Sequence, residues 1–160
     1  STFRGEAACV FDEETGSTYV GFMQRYAVGA SSTKWGILGQ RFDAEGNRLW
    51  GDIGREIVPM SAGDKGGVNV LPAGNGATFI WGVNERPAPM YLQASRLDAN
   101  GDYAWDNQII GFKTADSWIS RPVATVDRDG RNIIVWPEYI GYDDRDVMMQ
   151  TITESGRIGK

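Results

Sequence analysis

The chain has 160 residues, with 16 Lys plus Arg against 21 Asp plus Glu and a formal net charge of −5; this length buries one ordinary core, and this charge argues against a nucleic-acid or anionic-membrane partner, which wants a basic face. Histidine is absent and cysteine occurs once, at Cys9, which excludes Ser-His-Asp and Cys-His nucleophiles, His-ligated metals and an internal disulfide. Hydrophobic residues make up 41%, more than a disordered tail carries, yet no run approaches the ~20 apolar residues of a membrane helix.

In chain order, STFRGEAACV lacks the layout of a signal peptide, so the expectation is that any export signal was removed or never existed. Cys9, inside the apolar run AACVF, is expected to be a buried, inert thiol. ACVFDEETGSTYVGF (8–22) reads as two strands around the turn EETG. The polar stretch FMQRYAVGASSTKWG (22–36) follows, and then RFDAEGNRLW (41–50), in which Gly46 supplies the positive φ of a hairpin turn. VNVLPAGNGATFIW (68–81) repeats the strand–turn–strand pattern and opens into WGVNERPAPMY. Alternation at Met90, Leu92 and Ala94 marks a strand, and RLDANGDYAW (96–105) comes next. The last third reads VATVDRDGRNIIVW (123–136), WPEYIGYDDRDV (136–147), an alternating Val147 and Met149, and TITESGRIGK. No window of ten or more residues carries helical periodicity.

These elements repeat. RFDAEGNRLW and RLDANGDYAW share five identities; Trp50 and Trp105 lie 55 residues apart, as do Trp81 and Trp136, and Gly46, Gly101 and Gly156 keep that spacing. The expectation is a single domain, 1–160, of three repeats of about 55 residues: roughly 5–60, 61–115 and 116–160, the last completed by the N-terminal segment 1–4. Each unit reads as four strands, in the second at about 67–71, 77–82, 90–97 and 103–110. About twelve short strands in three units predict an all-β, threefold pseudo-symmetric fold without exposed edges, a β-trefoil. The alternative with the same strand inventory is a small β-propeller, or a half-propeller that pairs with a second chain.

Trp81 and Trp136 each end a strand and open a polar connection, and Trp35 stands beside the corresponding, longer connection of the first unit. Carboxylate, amide, guanidinium and phenol groups lie near them: Glu85 and Arg86, Glu138 and Tyr139, Gln24 and Tyr26. An indole stacks on the C–H face of a pyranose, burying area worth roughly 25 cal/mol per Å². A carboxylate accepts from adjacent hydroxyls, and Arg donates back. This predicts up to three saccharide sites, against the plainer reading that these indoles fill the core. Trp50 and Trp105, at one fixed position after a tight turn, read as packing residues. Asp143, Asp144 and Asp146 read as a solvated loop, with calcium as the lesser reading, because the DxDxDG spacing is missing. No P-loop, dinucleotide motif or metal quartet is present. Repetition of the acidic groups argues against catalysis, which needs one asymmetric site, so the chain is read as no enzyme.

The segments GQRFDAEGNRLWGDIGREIV and LQASRLDANGDYAWDNQIIGF resemble the repeat Q-R-L-D-x-x-G-x-x-x-W-x-x-x-G-x-x-V of secreted Bacteroidota proteins, and the three-repeat chain resembles carbohydrate-binding module family 92. That resemblance implies a secreted, non-catalytic, multivalent module, appended to a polysaccharide-degrading enzyme and binding β-glucan, β-1,6 or β-1,3 linked, through a Trp at each of three sites. The Trp role carries over to Trp81 and Trp136; in the first unit Phe22 stands at the aligned position, so Trp35 matches less well. The negative charge favours neutral glucans over sulfated galactans. The expectations are a monomer with no metal or cofactor and no nucleic-acid or membrane partner. The rival readings are a glycoside hydrolase working with Asp and Glu alone, and a fragment of a larger β-propeller interaction protein, which would leave an apolar face open.

Overall fold

The computed structural model describes residues 2–28, 32–85, 89–112, 118–119, 121–139 and 144–159. Strands take up 67% of it and helix none, as the alternating apolar pattern predicts. Each unit folds as an antiparallel meander. In the first, β1 (Thr2–Asp12), β2 (Ser17–Val28), β3 (Ser32–Phe42) and β4 (Arg55–Ser61) pair in that order. The second has β5 (Asp64–Ala73), β6 (Gly76–Asn84), β7 (Tyr91–Asp98) and β8 (Ile110–Phe112). The third has β9 (Trp118–Ile119) and β10 (Val123–Val126) along one side of β11 (Asn132–Tyr139), with β12 (Arg145–Ile152) on the other.

None of the three sheets closes as a barrel, the element a trefoil requires. Each is an open run of strands whose first and last members do not pair among the described residues, so every sheet keeps two edges. The N-terminal segment 1–4 does not complete the third unit either. Residues 2–4 pair with Tyr26, Arg25 and Gln24 of β2, continuing the ladder that begins at the Asp12–Ser17 turn.

The sheets stack face to face in chain order. On β6, Ala77, Phe79, Trp81 and Val83 point to one side and pack with Tyr19, Met23, Ile37 and Ile57 of the first sheet. On the other side Leu71, Ile80, Leu92, Ala94 and Phe112 pack with Ile134, Trp136 and Ile152 of the third. The middle sheet is therefore covered twice and each outer sheet once. Phe79 seats on Gly21 and Gly39, cross-strand neighbours in the first sheet; a Cβ on either would lie 3.0 Å from its ring.

The repeated motif clamps one sheet to the next. Arg41 Nη1 and Trp50 Nε1 both donate to the Ala99 carbonyl of the second unit, each at 3.0 Å. Arg96 Nη1 and Trp105 Nε1 both donate to the Glu154 carbonyl of the third, each at 2.9 Å. Each indole lies over the turn glycine of the following unit, Gly101 or Gly156, both at positive φ. Packing is thus the role of Trp50 and Trp105, as expected. To reach across, the chain leaves its own ladder after Tyr103, so the fourth strand begins at Ile110 and not near residue 103. Cys9 is exposed on the outer face of the first sheet; alternation puts its neighbours Ala8 and Val10 inward.

Candidate functional site

The first strand of every sheet carries one extra residue against its partner. Register jumps between Gly5 and Ala8 in β1 and between Gly66 and Asn69 in β5, while in the third unit Ile119 pairs with Glu138 and Val123 with Val135. A bulge of this kind kinks the strand and re-aims a side chain. Superposing the ladders puts Glu6, Gly67 and Arg121 at the same bulge position of the three units. Because β1 and β10 both adjoin β5, the three positions converge. They border one cleft of about 360 Å³, whose lining also includes Trp35, Asp64, Lys65, Asn84 and Met90.

Glu6 holds φ 49, a left-handed conformation that costs a non-glycine residue on the order of 1–3 kcal/mol. Its carboxylate accepts from the Gly67 N–H at 2.6 Å and so ties the first sheet to the second. The third is tied by Asn69, whose Nδ2 donates to the Pro122 carbonyl at 3.0 Å. Lys65 is 4% exposed, and its Nζ donates to Ser61 Oγ, Ala62 O and Gly63 O at 2.9, 3.2 and 3.3 Å. Burial holds its ammonium below the ordinary lysine value, with Glu85 and Asp64 opposing. Asn84 Oδ1 is buried without a hydrogen-bond partner among the described residues, which leaves an acceptor at the wall of the cleft. Burial, with the Glu85 carboxylate beside it, pushes the Tyr91 phenol above its usual value.

Of the saccharide-site candidates named from sequence, Trp35 alone lines this cleft among the described residues. It is half-buried, and the Arg25 guanidinium sits 5.4 Å from its ring centroid. Gln24 and Tyr26 do not join it. Trp35 pairs with Arg25, so Gln24 and Tyr26 alternate to the opposite face of the sheet. Trp81 and Trp136 are not indole plates: both are 0% exposed, sealed between sheets. Neither ends its strand, since β6 runs on to Asn84 and β11 to Tyr139; both indoles lie on the face that meets the preceding sheet, so the polar connection further on says nothing of their own environment. Trp81 Nε1 donates to Gln93 Oε1 at 3.0 Å, whereas Trp136 Nε1 has no partner among the described residues. Glu138 is buried as well, while Tyr139 faces the other way under the Arg145 guanidinium, 4.9 Å from its ring centroid. Glu85 is exposed beside Gly63, outside the cleft lining. Arg86, Asp143 and the Trp118 side chain lie outside the described residues.

The cleft residues missed from sequence are Glu6, Asp64, Lys65, Asn84 and Arg121. One signal was available. Aligning the units on their strand pairs, not on their tryptophans, brings Glu6, Gly67 and Arg121 into one column where carboxylate, bare backbone and guanidinium alternate. Among the described residues, no group of three or more acidic or cysteine side chains is placed to hold a metal ion. Comparison with protein-family models, with curated proteins and with solved structures gives no match.

Proposed function

We propose that the protein is a secreted, non-catalytic saccharide-binding module with one site, the Trp35 cleft, and that its three sheets stand as consecutive blades of a propeller-like fan. The observation that carries this reading is the convergence of a half-buried indole with two carboxylates, Glu6 and Asp64, and the Arg121 guanidinium around one open cleft. An indole covers the apolar face of a sugar ring, a carboxylate accepts from vicinal hydroxyls, and a guanidinium donates to hydroxyl or ring oxygens. The unpartnered Asn84 oxygen adds an acceptor that a hydroxyl satisfies. Three repeats then make one asymmetric site at their junction, in place of three equal sites. The substrate class, neutral β-glucan, and the attachment to a polysaccharide-degrading enzyme come from the family resemblance.

The test is affinity electrophoresis through gels containing β-1,3-, β-1,4- or β-1,6-glucan. Retention in at least one gel, lost in Trp35→Ala and weakened in Arg121→Ala with both variants folded, is the expected result, with no release of reducing sugar. Retention unchanged in both variants sinks the site, and turnover sinks the non-catalytic reading. A second reading, an interaction module, draws support from a different observation: Val123, Val147 and Met149 of the third sheet are 64%, 72% and 64% exposed.

A further inference from the structure

Every sheet in the molecule has a forward face, which meets the next sheet, and a backward face, which meets the one before. The forward pair Gly21 and Gly39 receives Phe79 of the second sheet. The equivalent pair in the second sheet, Ile80 and Ala94, is buried against the third. The equivalent pair in the third sheet is Val135 and Met149, and this face lies open, with Val147, Met149 and Val123 as its most exposed apolar side chains. The backward faces follow the same rule. Trp81 is buried against the first sheet and Trp136 against the second. Their equivalent in the first sheet, Phe22, is half-buried under the Arg4 guanidinium, 5.6 Å from its ring centroid, and exposed Phe11 and Cys9 share its face.

We infer that a second copy of this chain covers both open faces at once, head to tail, with the forward face of each third sheet seated on the backward face of the partner's first sheet. This inference does not depend on the saccharide reading. What covers a forward face is shown twice within the molecule, and each time it is a backward face of the same repeat. Pairing two forward faces would reproduce no contact that the chain makes. β5 adjoins both β1 and β10 along one edge of the stack, and head-to-tail addition that turns about this edge closes into a ring. Two copies give six sheets, inside the four-to-eight range of β-propellers, whereas three copies give nine. The contact between copies is weaker than the internal ones, because Thr151 and Lys160 stand where the clamp has Arg and Trp.

Sedimentation over a wide concentration range tests this on the chain as it is, and a reversible monomer–dimer equilibrium is expected. Val147→Asp with Met149→Asp breaks the forward face, and Phe22→Asp breaks the backward face. Each weakens association about a hundredfold or more, since a carboxylate is driven into an apolar contact. Mixing the two variants restores a dimer, because one of its two interfaces is then wild type on both sides. Cys9 supplies a readout that needs no substitution: its alkylation by a soluble maleimide slows as protein concentration passes the dimer midpoint. A monomer at every concentration overturns the inference, as does a dimer that survives both variants, failure of the mixture to recover, or growth into open polymers.

Discussion

Trp81 and Trp136 occupy one position of the repeat and meet different chemistry there. The indole N–H of Trp81 has Gln93 across the ladder; that of Trp136 has Met148, whose thioether is a weak acceptor. An unmade buried hydrogen bond costs on the order of 1–3 kcal/mol. Met148→Gln is therefore expected to copy the Trp81–Gln93 bond and raise stability by about 1 kcal/mol, read from the midpoint of urea unfolding. Trp136→Ala, by contrast, empties a sealed site and should cost ~3–5 kcal/mol. Trp35→Ala removes a half-buried ring at the cleft edge and should leave the fold intact. Glu6 differs again, since its backbone prefers glycine while its carboxylate holds Gly67. Glu6→Gly is expected to change stability by no more than ~1 kcal/mol, relieved strain offsetting the lost bond, and to weaken glucan retention.

Turns and bulges, more than strands, distinguish the three units. Asp43, Asp98 and Asp127 accept from backbone N–H groups two and four residues on, which closes the turn around a positive-φ glycine at the third; Thr153 does so from the fourth alone. Hydrogen bonding from Asn47 and Arg131 holds the Asp43 and Asp127 carboxyls below the usual carboxylate range. The turns are alike in conformation and unlike in load. A Cβ at Gly156 would lie 2.9 Å from the Trp105 ring, whereas at Gly46 nothing lies within 4 Å. Both glycines have positive φ, so Gly46→Ala should cost only the left-handed penalty of ~1–2 kcal/mol. Gly156→Ala should cost clearly more, because it also pushes the indole off its seat. Equal melting temperatures for the two variants would contradict the clamp.

At the scale of the whole molecule, burial displaces three phenols and one ammonium among the described residues. Burial pushes the Tyr19, Tyr91 and Tyr103 hydroxyls above their usual value of 10.0, and it lowers the Lys65 ammonium below 10.5. Above pH 10 the folded tyrosines keep protons that the unfolded chain releases, so stability falls as pH rises. Lys65 works in the other direction: below pH 10.5 the unfolded chain holds the proton more tightly, so stability rises with pH through that window. The expected net result is alkaline destabilisation beginning near pH 10. Lys65→Met should leave that decline and remove the rise before it, as followed by unfolding midpoints at stepped pH.

Much of this architecture was legible from residues alone. Alternation and glycine turns mark an all-β chain, and identities at Arg41, Asp43, Gly46 and Trp50 mark a period of 55, because those features are local and each unit must satisfy them for itself. Packing for Trp50 and Trp105 was legible because both hold one fixed place in the repeated motif, although the units that they pack against were not. Tertiary structure alone decided which face of each strand is sealed, since alternation separates two faces without saying which one meets a neighbouring sheet. That is why Trp81 and Trp136 lie inside, why Gln24 and Tyr26 turn away from Trp35, and why Cys9 is exposed. It also decided that three repeats converge on one cleft, because Glu6, Gly67 and Arg121 become neighbours only when the first strands of three separate sheets adjoin.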